Sequence, residues 1–207
     1  LALNITSNTT ILTPNRRLSA WLIQLYNQQQ IANGKAAWES VDILPYNSWL
    51  KRLWDEYSFA GSESLPTLLT QTQEAYLWEM IVSKSEMSQP LLQVSEAAST
   101  AHSAWQLLNE WNVKTTHPLF DTMDDGRAFK IWATEFADLC KKNNWLDNSR
   151  LPQHIIDLLH DGKISCNNPI IFYGFTEFSP SMQKMISVLE EKKINLTLHE
   201  SEPSHDK

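Results

Sequence analysis

Four polar residues at the junction of a short apolar run and a helical pattern offer the clearest chemistry in the chain. Thr13 ends the run 10–13, Asn15 is suited to cap the following helix, and Arg16 and Arg17 open its first turn. The backbone N–H groups and dipole of a helix N-terminus favour anions. These residues therefore predict contacts to phosphates, such as those of a nucleic-acid backbone. The alternative is that Asn15 only caps the helix and the arginines are simply solvated.

A second stretch follows the apolar run that starts at residue 170. Parallel sheets bind ligands beyond the carboxyl ends of their strands, and Tyr173, Gly174, Phe175, Thr176 and Glu177 occupy such an end. A nucleotide site would need a Mg²⁺-holding acidic group there, yet the nearest carboxylate is Glu177. Glu177 is interpreted either as a catalytic base or as a solvated loop or helix N-terminal charge. A Gly-rich loop with Lys-Ser/Thr is also missing, so no ATP and no other cofactor is predicted.

The remaining chemical groups favour structural roles. Asp121, Asp124 and Asp125 match either a metal cluster or, more simply, the acidic start of a helix. The histidines are scattered, and Cys140 and Cys166 lack metal-type spacing. We therefore predict no metal site, no catalytic residue and no enzymatic activity for this chain. Two unpaired cysteines also favour a reducing, cytoplasmic location.

The elements that would hold these loops alternate between strand and helix at both ends of the chain. Strands are predicted at 10–13, 41–45, 170–174 and 194–199, which indicates an α/β fold with a mainly parallel sheet. Asn15 and Asn47 are predicted to cap the first two helices, and Ser179 a later one. The first helix is expected to bury a stripe of apolar side chains, namely Leu18, Trp21, Leu22, Leu25 and Tyr26.

The middle of the chain has helical periodicity throughout. Helices are predicted from Thr70, with Gln73 completing a capping box, from about Ser95, from about Asp125, and over 151–160. We find no convincing strand between residues 65 and 161. The pattern therefore predicts an all-helical subdomain at 66–161, inserted into an α/β domain formed by 1–65 and 162–207.

Composition limits the partners. The formal charge of −7, from 17 basic and 24 acidic residues, argues against tight nonspecific DNA binding by the chain alone. No membrane-spanning run or signal peptide is found. Because the chain begins with Leu and ends in a polar tail, we expect it to be a piece of a longer protein.

A family resemblance covers nearly all of the chain. It resembles the N-terminal part of the bacterial "probable DNA repair protein" family, which is related to the AddB-type subunit of helicase–nucleases and to RecC. The residues that carry the resemblance, in order, are Ile11–Leu18, Trp38, Asp42–Leu50, Leu53–Trp54, Gln73–Glu74, Leu77–Trp78, Trp105, Trp111, Trp145–Leu146 and Tyr173–Pro180.

The resemblance implies a RecA-like, helicase 1A-like domain whose helical insertion is 1B-like. It also implies a second helicase-like half and a C-terminal PD-(D/E)XK nuclease domain in the parent protein, with a helicase as a possible partner subunit. The loop 13–17 is similar in position to helicase motif Ia, which contacts single-stranded DNA. Residues 173–177 lie where an active helicase has its Walker B carboxylates, and Tyr173 stands where AddB-like proteins often keep an aspartate.

Two functions remain open from the sequence. The first is an inactivated helicase domain that scaffolds and guides single-stranded DNA, with weak binding by the isolated chain. The second is a protein-interaction module of the repair complex that makes no direct DNA contact. Arg16 and Arg17 favour the first, and the acidic total favours the second.

Overall fold

The computed structural model describes residues 8–61, 65–86 and 93–200. Its fold is α/β, as predicted. The elements in chain order are β1 (Thr10–Thr13), α1 (Arg16–Ala32), β2 (Asp42–Pro45), α2 (Tyr46–Ala60), β3 (Thr67–Leu68), α3 (Gln71–Lys84), α4 (Val94–Glu110), a 3-10 helix (Pro118–Asp121), α5 (Asp124–Lys142), β4 (Trp145–Leu146), α6 (Leu151–His160), β5 (Ile170–Phe175), α7 (Pro180–Glu191) and β6 (Leu196–Glu200).

The four predicted strands form one parallel sheet in the order β2-β1-β5-β6. β5 lies inside the sheet, because β1 and β6 pair with its two edges. Phe172 of β5 is fully buried, and Ile170 is 2% exposed. Parallel strands need this protection on both faces, which accounts for the continuous apolar run.

Different helices cover the two faces of the sheet. Ile11 of β1 and Ile43 of β2 pack in one cluster with Leu22 of α1. On the opposite face, the ring of Phe172 lies 6.3 Å from that of Tyr46, which opens α2. A strand alternates its side chains between faces, so neighbouring residues of β1 and β5 serve different helices. Because helices pack on both faces, the strands are held in place, and so are the starting points of the loops at the carboxyl edge of the sheet.

The predicted helix starts are mostly confirmed. Asn15 caps α1 through its side chain, and Thr70 and Gln73 form the predicted capping box of α3. Ser179 accepts a hydrogen bond from the backbone N–H of Met182, as a cap of α7 should. Asn47 was expected to cap α2, but α2 already begins at Tyr46, directly after Pro45 of β2. The short loop expected between these two elements does not exist.

The segment that was predicted to be wholly helical contains one short pair of strands. Thr67 and Leu68 of β3 pair in parallel with Trp145 and Leu146 of β4, so the expectation of no strand between 65 and 161 is wrong. Each strand has only two residues, which is too short for the alternation that identifies a strand in sequence. The remaining elements between them are helices.

Two compact units emerge from the contacts within the chain. One comprises the described residues of 1–60, 155–178 and 183–207, and the other those of 61–154 and 179–182. The second unit has an aromatic core in which Trp78 stacks on Phe136 with ring centroids 4.7 Å apart. Trp105 lies against both rings, at 6.3 and 5.9 Å. The predicted inserted subdomain, with boundaries at 65 and 161, stays a prediction.

Candidate nucleic-acid interface

The edge loop, defined here as residues Thr13–Arg17, is held in place by the hydroxyl groups of Thr13 and Ser19. Thr13 is fully buried, its Oγ1 lies 2.6 Å from the Oγ of Ser19, and it donates to the backbone carbonyl of Asn15. The Asn15 side chain accepts the backbone N–H of Leu18 at 3.0 Å. Thr13, although predicted as a contact residue, thus positions the loop and exposes no group to a ligand. Asn15 is exposed, but its cap uses the side-chain oxygen.

Arg16 and Arg17 are exposed at the start of α1. Neither forms an ion pair with any residue among 8–61, 65–86 and 93–200, and the first turn of α1 contains no acidic residue. Cations at a helix N-terminus oppose the helix dipole, so this arrangement contributes nothing to the stability of α1. The side chains and backbone N–H groups of Arg16 and Arg17 therefore remain available to an anion, whereas the N–H of Leu18 is used by the Asn15 cap.

The second predicted stretch packs directly against the edge loop. β1 and β5 are parallel neighbours, so their carboxyl ends meet at one edge of the sheet. Gly174 has a positive φ of 80°, and a Cβ placed on it would lie 2.4 Å from Leu18 Cδ2 and 3.9 Å from Pro14 Cδ. The positive φ therefore favours glycine, and a Cβ at this position would also require the Leu18 side chain to shift.

The aromatic side chains next to Gly174 pack against neighbouring rings. Tyr173 is half-buried, and its ring lies 6.1 Å from that of His199. Phe175 is buried and stacks on Phe178 at 5.5 Å. Thr176 and Glu177 are exposed. The end of β5 thus presents an aromatic side chain and a glycine at Tyr173 and Gly174, and no carboxylate at these two positions.

The exposed face of α1 differs from the predicted one. The buried positions are Ser19, Leu22, Tyr26 and Gln30, whereas Trp21 is 46% exposed and Leu25 is 38% exposed. The hydroxyl pair between Ser19 and Thr13 explains why a serine lies on the buried side. Trp21 follows Arg17 by one helical turn, so an aromatic side chain and a cation share the solvent face.

Sequence reasoning missed two buried carboxylates, Glu74 and Asp147, both fully inaccessible to solvent. Glu74 accepts the backbone N–H of Asn148 at 2.6 Å and its amide nitrogen at 2.7 Å, and its other oxygen lies 2.9 Å from His102 Nε2. Only the capping-box position of Gln73 pointed to this region, and nothing in the periodicity marked Glu74 as buried.

Asp147 is held in a similar way. Its carboxylate accepts the Trp105 indole N–H at 3.1 Å, the backbone N–H of Ser149 at 3.1 Å, and the Arg150 guanidinium. The guanidinium of Arg150 also lies 5.7 Å from the centre of the Trp105 ring. Every oxygen of the two carboxylates therefore has a partner, as buried charge requires. These groups connect α3, α4 and the β4–α6 segment rather than face a cleft.

The other candidate groups also have internal roles. Asp121 pairs with Lys130 at 2.8 Å, and Asp124 pairs with Arg127. Within the described ranges, no group of three or more His, Cys, Asp or Glu residues is arranged to hold a metal ion. Burial raises the pKa of Cys140 and of Cys166 to about 11. Both cysteines are therefore thiols at neutral pH and lack the thiolate of a nucleophile.

No protein-family model matches the chain, and no curated protein matches its sequence. Among the described residues, the helices are all too short or too polar to cross a bilayer.

Proposed function

We propose that this chain is a non-catalytic helicase-like domain that guides single-stranded DNA for a nuclease elsewhere in its parent protein. In this proposal the parallel sheet is RecA-like, residues 66–161 form an inserted 1B-like subdomain, and the protein acts in the cytoplasm. The observation that carries the proposal is that Arg16 and Arg17, at the N-terminus of α1, are exposed and form no ion pair with a described residue. The resemblance to AddB-type subunits and RecC supplies the repair context.

Phosphate is the ligand that best fits the edge loop. Arg16 and Arg17 supply two permanent charges, and their own backbone N–H groups add donors at the same end of α1. Because both arginines lack an acidic partner among the described residues, an incoming phosphate displaces no internal ion pair. Such contacts position a strand without reading its bases, so the interaction is independent of sequence.

The contribution of this chain to binding is small by itself. Two cations on a chain with a formal charge of −7 give a weak site at physiological salt. The rest of the DNA channel, the nuclease and any helicase partner belong to other parts of the assembly. The Tyr173–Gly174 strand end supports a guiding role without ATP, because it offers no carboxylate to a nucleotide-bound Mg²⁺.

The test is the double variant Arg16→Ala with Arg17→Ala, assayed with fluorescent single-stranded oligonucleotides at several low salt concentrations. Each lost phosphate contact removes about 0.7 from the slope of log affinity against log salt, so the slope should fall by about 1.4. Affinity should fall about equally for different base sequences. Saturating Mg-ATP should leave the thermal stability unchanged, whereas a ligand at about 100 times its Kd would add about 2.7 kcal/mol.

The matched control is Lys35→Ala with Lys184→Ala, which removes the same charge from two exposed positions in the same unit. If both double variants bind alike, the effect reflects net charge and not the edge loop. If the arginine variant keeps the affinity and salt slope of the unaltered protein, the edge loop is structural and DNA guidance is rejected.

The second candidate is a protein-interaction module without direct DNA contact. The exposed indole of Trp21 and the exposed Leu25 favour it, because α1 presents them beside Arg17 on one face. Trp21→Ala separates the two candidates when it is combined with the oligonucleotide assay and with partner capture by the parent protein. Loss of partner capture with unchanged DNA binding would favour the interaction module.

A further inference from the structure

The second unit contains a groove that the DNA-guiding proposal does not use. This α4–α5 groove is lined by Ala101 and Ala104 of α4 and by Ala128, Phe129 and Trp132 of α5, and its volume is about 540 Å³. That volume falls in the roughly 300–1,000 Å³ range of ligand pockets. The small alanine side chains leave space along α4, so a partner backbone can approach closely.

The rim of the groove is acidic. Glu86, Asp124 and Asp125 all line it and are all exposed. Asp124 is already paired with Arg127, but Glu86 and Asp125 form no ion pair with a residue in the described part of the chain. An acidic rim repels phosphate, so nucleic acid is excluded as the occupant.

The floor combines apolar surface with one unused donor. Phe129 is 8% exposed and Trp132 is 6% exposed. The indole Nε1 of Trp132 is buried and donates to no acceptor among residues 8–61, 65–86 and 93–200. Because this nitrogen is itself inaccessible to solvent, contact with a partner in the groove rests on the apolar side chains.

We propose that the α4–α5 groove binds a basic amphipathic helix of a partner protein. Apolar side chains on one face of that helix contact Phe129 and Trp132, while flanking lysines or arginines pair with Glu86 and Asp125. A helix lying in a hydrophobic groove is a common mode of peptide recognition. Apolar residues at positions i, i+3, i+4 and i+7 of the bound helix lie on one face and contact the groove between two packed helices. This interaction is independent of the edge loop.

The experiment uses the whole chain and a labelled peptide of about 15 residues, long enough to form some helix, with leucines at helical spacing and lysines on the flanks. A second peptide carries glutamate in place of each lysine. The lysine peptide should bind at least about tenfold more tightly, and the difference should shrink at high salt because the rim charges are screened. Equal binding of the two peptides would overturn the proposal.

Two sets of variants locate the site. Thr100 lines the groove and is exposed, so Thr100→Trp should fill the groove without disturbing the core and should weaken binding more than about tenfold. Glu86→Gln with Asp125→Asn should weaken binding about fivefold, which is the scale of two exposed ion pairs. The control, Glu110→Gln with Glu135→Gln, removes two exposed carboxylates outside the groove and should bind as the unaltered protein does.

Other results would assign the groove differently. If Thr100→Trp lowers the melting temperature, Thr100→Arg serves in its place, since it opposes a cationic ligand without adding a large ring. Unchanged peptide affinity in both Thr100 variants overturns the proposal. Binding that appears only after residues 87–92 are replaced by Gly and Ser would assign the groove to the chain itself. A dimer that Thr100→Trp dissociates would assign it to a second copy.

Discussion

The charged groups of the edge loop and the buried carboxylates differ in both burial and bonding partners. Glu74 and Asp147 are fully buried, and each of their oxygens accepts a hydrogen bond from a named neighbour. Arg16 and Arg17 are exposed and form no ion pair with a described residue. The first arrangement is complete without a ligand and can only serve the fold. The second opposes the dipole of its own helix, so its charges contribute nothing to the stability of that helix.

The largest expected effect tests the buried side of this comparison. Asp147→Ala leaves the Trp105 indole N–H, the Arg150 guanidinium and two backbone N–H groups without their acceptor. Removing one partner of a buried charge pair costs about 3–5 kcal/mol. We place the loss of unfolding free energy near the lower end, about 3 kcal/mol, because Arg150 reaches solvent. Urea denaturation measures it.

Asp147→Asn is the matched control, because it keeps an acceptor for Trp105 but removes the charge that faces Arg150. It should cost about half as much as Asp147→Ala. If Asp147→Ala costs less than about 1 kcal/mol, the carboxylate is not a structural element and the contrast with the edge loop fails.

A smaller effect tests how tightly the edge loop is held. Gly174→Ala combines the strain of a non-glycine residue at positive φ with crowding against Leu18, and should cost about 2 kcal/mol. Gly34→Ala is a close control, since Gly34 has a φ of 73° but nothing within 4 Å of its added Cβ. Thermal unfolding should therefore show a larger loss for Gly174 than for Gly34. Equal losses would mean that Leu18 moves aside freely.

Asp42 is an intermediate case, a partly exposed carboxylate with a partner. Burial raises the pKa of Asp42, but hydrogen bonds from Arg52 and Thr10 and the charge of Arg52 outweigh burial, so the pKa lies below its ordinary value of 3.8. A carboxyl group whose pKa is lowered by folding stabilises the protein above its unfolded pKa and loses that contribution as pH falls through its folded pKa.

Asp42→Asn should therefore destabilise the protein at pH 7 by less than about 1 kcal/mol, and the difference from the unaltered protein should shrink below about pH 4. Urea denaturation at pH 7 and at low pH measures this change. A destabilisation that stays constant down to the lowest pH would show that the carboxylate charge contributes nothing and that only the hydrogen-bond geometry matters.

The smallest expected effect lies in the edge loop itself. Arg16→Ala with Arg17→Ala should change the unfolding free energy by no more than about 0.5 kcal/mol, because the two exposed cations oppose the dipole at the helix N-terminus and form no ion pair with a described residue. Differential scanning calorimetry at low salt gives the best resolution of this change. A loss above about 1 kcal/mol would place the arginines among the structural residues and remove the contrast with Asp147.

Sequence reasoning located the loops because local signals agreed there. Asn15 after a short strand, and Gly174 after an apolar run, both mark strand ends, and parallel pairing then brings the two together. The observed strand β1 matches the predicted range, and β5 extends one residue further, to Phe175. Capping residues and apolar runs act over a few neighbours, so they can be read from sequence without knowledge of the fold.

What sequence reasoning missed depends on contacts between distant residues. Trp21 and Leu25 fit an apolar stripe, but the buried side of α1 is set by the hydroxyl pair of Ser19 and Thr13 and by the sheet beneath Leu22. From sequence, Glu74 is an ordinary acidic residue in the first turn of α3. Its burial depends on contacts with Asn148 and His102, which lie on other elements. The role of a polar residue in a helix is decided by partners that no periodic pattern encodes.

The short pairing of β3 with β4 affects how the second unit folds. Around it, Asn144 bonds to Leu65 and Asn148 bonds to Leu69, and each contact joins residues 79 positions apart. Closing so long a loop costs conformational entropy before the hydrogen bonds can form. In contrast, α3 and α4 lie close in sequence and can associate early. The β3–β4 pair should therefore form late, and substitutions there should speed unfolding more than they slow folding.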